Sequence, residues 1–202
     1  MPAIDFPTSP ALNDEYTFEG RTWLWNGTGW EVKSYPAALQ LGSASAPSLY
    51  FTGDPNTGLY SPGADQFAVT TGGTGRWFVD ATGKIGINVT PATNTRLDLS
   101  GTYAQNIVAV SALDIDCGSG NYFTKTINGA STFTVSNIPA SRSYSFTLEL
   151  THTSGAITWF SNVEWPGGTA PTLTTGKTHL FMFVTDDGGT RWRASSLINY
   201  TT

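Results

Sequence analysis

Residues Pro47 to Asn88 read PSLYFTGDPNTGLYSPGADQFAVTTGGTGRWFVDATGKIGIN, and their punctuation decides the fold class. Short apolar runs (Leu49-Tyr50-Phe51, Leu59-Tyr60, Phe67-Ala68-Val69, Trp77-Phe78-Val79, Ile85-Gly86-Ile87) alternate with GDPNTG, SPGAD, TTGGTG and DATG. Each run predicts a strand of a few residues and each interruption a turn. Glycine supplies positive φ, Pro55 and Pro62 preset φ, and Asn and Asp bond their own backbone. No apolar period near 3.6 survives the breaks, so a helix is excluded here.

A segment this short, cut into strands this small, buries too little apolar area to offset the ordering of its backbone, about 1–2 kcal/mol per residue. It therefore calls for a partner. Another copy of itself serves, because symmetric association packs the same rings against one another and covers strand edges. The interface residues expected on this reading are Tyr50, Phe51, Tyr60, Phe67, Trp77, Phe78, Ile85 and Ile87, in a shaft of intertwined strands over residues 47–103.

The wording GD-NTG-YSPG, followed by GG--R--VD--G-IGI, resembles a module of tail fibres and other virion structural proteins of tailed bacteriophages. The resemblance implies a structural role in a phage particle and a homo-oligomer, a trimer by analogy with such fibres.

Totals narrow the field further. The 202 residues suffice for one large or two small domains. Charge is scarce, with 10 Lys plus Arg against 15 Asp plus Glu and a net charge of −5, so the chain lacks the basic footprint that nucleic acid or an anionic membrane would require. Gly 22, Pro 11 and 26 aromatics (Trp 7, Tyr 8, Phe 11) fit an all-β protein rich in tight turns. The single cysteine, Cys117, has no internal disulfide partner and no neighbouring cation, and reads as inert. MPAIDFPTSP has neither the basic nor the apolar region of a secretory signal, so the expectation is a protein made in the host cytoplasm and carried in the virion.

Residues 1–34 read as a compact N-terminal module. Tyr16 and Phe18 alternate, Glu19-Gly20 reverses the chain into Trp23 and Trp25, and Asn26-Gly27-Thr28-Gly29 reverses it again into Trp30 and Val32. The result is a three-stranded meander with Tyr16, Phe18, Trp23, Trp25, Trp30 and Val32 on one face. Such a face is either a miniature core or an anchor for another protein. The G-x-x-W-x-W-x-G-x-x-W wording is similar to a short N-terminal module of phage structural proteins. That likeness makes the five aromatics Tyr16, Phe18, Trp23, Trp25 and Trp30 the virion-attachment candidates. Residues 35–46, small and uncharged, read as a flexible linker.

Residues 104–202 predict an antiparallel β-sandwich or jelly roll, with strands over 108–115, 122–127, 132–136, 144–151, 156–160, 179–185 and 190–198. In SYSFTLELT the residues Tyr144, Phe146, Leu148 and Leu150 share one face, as in a half-buried antiparallel strand. HLFMFV (179–184) is apolar on both faces, which places it centrally, covered on both sides, or against another subunit. Asp187-Gly188-Gly189 predicts a hairpin turn. The stretch from Trp165 to Trp192, beginning WPGGTAPTLTTGK, is similar to C-terminal domains of phage fibre proteins.

No constellation of an enzyme emerges. His152 and His179 are the only histidines and lack metal-ligand spacing; His152 reads as a solvated loop residue and His179 as a hydrogen-bonded strand-edge residue. Thr71 to Gly75 is Gly-rich but has no following Lys-Ser/Thr, and reads as a turn. The carboxylate pairs Asp114/Asp116, Glu149/Glu164 and Asp186/Asp187 are the remaining route to hydrolysis. The reading is a non-enzyme without cofactor or metal, a homotrimeric tail fibre attached by its N-terminus that presents the C-terminal domain to the host surface. A capsid decoration protein or head fibre is the first alternative. A carbohydrate-binding receptor module is the second, with Trp159, Trp165 or Trp192 stacking on a sugar ring.

Overall fold

A computed structural model describes residues 4–33 and 39–201. Apart from a 3₁₀ turn at Pro166–Gly168, the regular structure among these residues is β, as the turn-dense sequence requires. The chain divides into two compact units between Thr102 and Tyr103.

In the first unit, β1 (Glu15–Phe18), β2 (Arg21–Trp25) and β3 (Trp30–Val32) form an antiparallel meander. The register sets Tyr16 across from Trp23, Trp23 across from Val32, and Trp25 across from Trp30. Residues opposite one another share a face, so the aromatic side chains gather as their period-two spacing predicts. Asn26 closes the second turn, its Oδ1 accepting from the N–H groups of Thr28 and Gly29 at 2.9 and 2.8 Å.

The same unit holds a six-stranded sheet in sequential order: β4 (Leu49–Phe51), β5 (Asp54–Tyr60), β6 (Phe67–Thr71), β7 (Thr74–Val79), β8 (Ile85–Ile87) and β9 (Leu97–Leu99). All neighbours are antiparallel except β8 and β9, which run parallel. Two expectations change here. The strands pair within one chain, so this sheet is not built from intertwined strands. GDPNTG is also mostly strand, because the reversal is made by Thr52 and Gly53 alone and Asp54 already opens β5.

The second unit has a six-stranded mixed sheet of β10 (Ile107–Ala109), β12 (Tyr122–Asn128), β15 (Tyr144–Ser154), β18 (Lys177–Thr185), β19 (Trp192–Tyr200) and β17 (Val163–Glu164), in the order β10-β12-β15-β18-β19-β17. Two short parallel pairs accompany it, β11 (Asp114–Asp116) with β14 (Thr134–Ser136), and β13 (Ser131–Thr132) with β16 (Ile157–Thr158). The expected antiparallel order holds only for β15, β18 and β19; β10, β12 and β15 run parallel, as do β17 and β19. Turn residues report where a chain reverses, whereas parallel partners join through longer connections that carry no such local mark. The runs 108–115 and 132–136 accordingly split into two short strands each.

Phe123, Phe146, Leu148, Leu150, Phe181, Phe183 and Trp192 project from one face of this sheet into a core shared with Ile115, Phe133 and Phe160. β15 alternates as predicted, with Phe146, Leu148 and Leu150 buried and Ser145 exposed. β18 is central, but it is covered on one side only. His179, Phe181 and Phe183 are buried, while Met182 and Val184 on the other face are exposed. Within the chain, then, HLFMFV alternates like its neighbour.

A candidate assembly face

The two faces of the β4–β9 sheet differ in what covers them. One carries Tyr60, Ala68, Phe78, Gly86 and Asp98, each across from the next in register. Here the chain covers itself. The segment after residue 38 lies over Thr70, whose hydroxyl donates to the carbonyl of Ala44 at 2.8 Å, and Ser61 N–H donates to Leu41 O at 2.8 Å. Ala68 and Thr70 are fully buried. At the other end Pro91 is buried against Gly86, where an added β-carbon would meet Val89 O at 2.0 Å. Residues 35–38 of the expected linker lie outside the described residues. Residues 39–46, though largely exposed themselves, are held to the sheet by these bonds and form a covering strap instead of a free linker. Their small side chains permit the close approach that the composition suggested was flexibility.

The opposite face is bare. Leu49, Leu59, Val69, Trp77, Ile87 and Leu99 form one uninterrupted row across all six strands. Phe67, Val79, Ile85 and Leu97 form a second row beside it. Neither row contains a charged residue. Phe51 is 69% exposed, Trp77 47% and Phe67 43%, and Leu49, Ile87, Leu97 and Leu99 are similarly open. Taking ~150–250 Å² for a large side chain, the exposed apolar area is on the order of 600 Å². That is at the top of the ~300–600 Å² found on ordinary monomers and approaches the ~800 Å² per partner of a standard interface. A groove of about 440 Å³ indents this face between Leu49, Phe51, Thr57, Leu59, Val69 and Thr71.

Of the eight interface residues expected from sequence, Phe51, Phe67, Trp77, Ile85 and Ile87 belong to this face. Tyr50, across from Gly58, is also open to solvent. Tyr60 and Phe78 are corrected: they belong to the self-covered face, where an added β-carbon on Gly75 would lie 2.8 Å from Tyr60 Oη and 2.4 Å from Phe78 Cζ. Counting aromatic residues could not separate the two faces; the pairing register does. Leu49, Leu59, Val69, Val79, Leu97 and Leu99, which the ring-based reading passed over, complete the rows. Their alternation with polar or small residues was the signal available.

The attachment candidates Tyr16, Trp23, Trp25 and Trp30 form a cluster capped by Phe6, which stacks on Trp30 at 5.3 Å and meets Tyr16 and Trp23 edge-on. Trp23 is buried, and Tyr16, Phe18, Trp25 and Trp30 are half-buried. The geometry is that of a miniature core closed by the Pro-flanked lead-in.

Among the glycan candidates, Trp192 is corrected outright: it is fully buried, with Phe146 and Phe160 edge-on at 5.5 Å. It begins β19 on the inward face, so no sugar reaches it. Trp159 and Trp165 are half-buried and pack on Phe181 and Phe183. Trp159 also lines a cleft of about 220 Å³ with Ile157, Pro171 and Leu173.

The carboxylate pairs are occupied locally. Asp114 accepts from Thr134 and Ser136 hydroxyls, clipping β11 to β14. Asp116 accepts from Asn137, Gly118 N–H and Ser119, and these bonds, Asn137 foremost, hold its carboxyl below the usual range. Asp187 closes the β18–β19 turn by accepting from Arg191 N–H and Thr185, while Asp186 lies by Arg191 and Arg193. Glu149 and Glu164 sit three strand spacings apart, at least about 14 Å before their offset along the strands is added, beyond the reach of a paired-acid mechanism.

Both histidines are buried, which corrects the solvated reading of His152 and the edge reading of His179. Nε2 of His152 lies 2.8 Å from Gly155 O. His179, in central β18, has Nε2 3.2 Å from Thr174 O and accepts at Nδ1 from Asn199 N–H. Burial pushes the Cys117 thiol up to about 11, in keeping with an inert side chain. Among the described residues no group of three or more His, Cys, Asp or Glu gathers as a metal site, and no helix is long and apolar enough to cross a membrane.

No protein-family model, curated protein or solved structure matches the chain.

Proposed function

We propose that this protein is a non-enzymatic structural component of a bacteriophage virion, a homotrimeric tail fibre whose β4–β9 sheets associate through their bare faces. The observation that carries this reading is the charge-free row from Leu49 to Leu99, left uncovered although the chain covers the reverse face with its own straps. An apolar face of this size on an otherwise self-covered sheet favours another protein surface over water. The GD-NTG-YSPG wording supplies the phage context. The N-terminal meander is the virion-proximal module and the C-terminal unit is directed to the host surface.

Sedimentation of the purified protein tests the oligomer: a mass of three chains is expected, and Trp77→Asp shifts it to one chain while strand content is retained. A wild-type protein that sediments as a single chain at micromolar concentration sinks the reading. Antibody labelling of virions, seen by electron microscopy, distinguishes a fibre on the tail from a decoration protein or head fibre on the capsid.

A further inference from the structure

The bare face carries both a large exposed ring and a hollow. Trp77, on β7, is the bulkiest side chain of its row and about half exposed. The groove of about 440 Å³ lies over β4 to β6, walled by Leu49, Phe51, Leu59 and Val69, with Thr57 and Thr71 at its polar margin. A cleft of this size falls within the ~300–1,000 Å³ range that takes drug-sized ligands, so an indole fits it readily. Both features lie on the same apolar surface, and no charged side chain stands between them in the rows.

We propose that the groove is the seat of Trp77 from a neighbouring copy, so that each chain supplies both the ring and its receptor. The occupant is a second copy because only an apolar partner compensates this face, and because its exposed area approaches what one side of a stable protein interface needs. The groove then holds the central anchor of the contact, the position where a buried tryptophan contributes most to binding. The inference rests on the homo-oligomeric reading above and specifies how the copies recognise one another.

Paired cysteines test it. Leu59 and Trp77 are separated in one chain by two strand spacings, roughly 10 Å, too far for an intrachain disulfide. Native Cys117 is buried and does not compete. On oxidation the full-length Leu59→Cys/Trp77→Cys protein is expected to form a covalent oligomer on a denaturing gel, reversed by reductant, while each single variant stays monomeric on that gel. Cross-linking by Trp77→Cys alone would mean that like residues meet, and would overturn the proposal. An unlinked double variant of oligomeric native mass would also overturn it while leaving the fibre reading intact. A wild-type monomer removes both.

If the double variant fails to fold, or folds but no longer assembles because its indole is gone, Thr57→Trp decides the matter. It fills the groove from within its own copy and leaves Trp77 in place. The concentration at half-assembly is expected to rise at least about tenfold. An unchanged midpoint refutes the seat.

Discussion

The hydroxyl of Thr70 donates to the carbonyl of Ala44 at 2.8 Å, which ties the strap of residues 39–46 to the middle of the β4–β9 sheet. Thr70 is fully buried and Ala44 half-buried, so the bond is partly shielded from water. Thr70→Val keeps the shape and removes the donor. The expected loss is about 1 kcal/mol, the usual net contribution of one hydrogen bond, measured by urea unfolding at fixed protein concentration. An unchanged unfolding midpoint would mean that the strap does not close on this face in solution.

Gly86 marks the other end of the same covering. A β-carbon there would stand 2.0 Å from Val89 O and 2.9 Å from Pro91 Cδ, and the first contact is with backbone that cannot swing aside. Gly86→Ala is expected to destabilise the first unit by at least the ~1–3 kcal/mol typical of overpacking. Gly72→Ala is the contrasting case. Its β-carbon would meet nothing within 4 Å, so its cost is confined to the strained φ of +57°. Thermal unfolding of the two variants side by side checks the order, with Gly86→Ala the less stable.

Strands β4 to β8 were legible because every reversal between them is marked by Gly, Asn, Asp or Pro beside an apolar run. The three-stranded N-terminal meander was legible for the same reason. Which face of the sheet would be covered was not legible. That depends on Thr70 meeting Ala44 and on Pro91 meeting Gly86, contacts over 26 and five residues that leave no period in the sequence. For this reason a reading by ring count groups Tyr60 and Phe78 with Trp77 although the register turns them the other way. The second unit shows the same limit. The alternation in β15 declared its buried face, but nothing local told that its partner β12 runs parallel, or that Trp192 points inward.

Trp192 supports the core of the second unit, and its removal should register as lost stability. Phe146, Phe160 and Tyr144 all meet its ring edge-on at 5.5–6.5 Å. Trp192→Ala is expected to cost about 3–5 kcal/mol and to abolish the cooperative unfolding of this unit. The measurement is calorimetry of the full chain, which resolves the transitions of separate units. Full stability in the variant would return Trp192 to the list of surface residues available for ligand stacking.

His179 makes the second unit sensitive to acid. The ring is fully buried, with Nε2 donating to Thr174 O and Nδ1 accepting from Asn199 N–H, a pattern that only the neutral imidazole satisfies. Burial lowers its pKa below the ordinary value near 6.5, with a smaller contribution in the same direction from His152, 6.1 Å away, and an opposing one from the Thr174 bond. The unfolded chain therefore binds the proton more readily than the folded one. Stability is full above about pH 6.5 and falls as the pH drops below it towards the folded pKa. Melting temperatures between pH 7.5 and 5 are expected to decline over this window, above the range in which carboxylates such as Asp116 and Asp187 titrate. A flat profile down to pH 5 would show that the imidazole accepts its second proton without cost, and that the Asn199 N–H has found another acceptor.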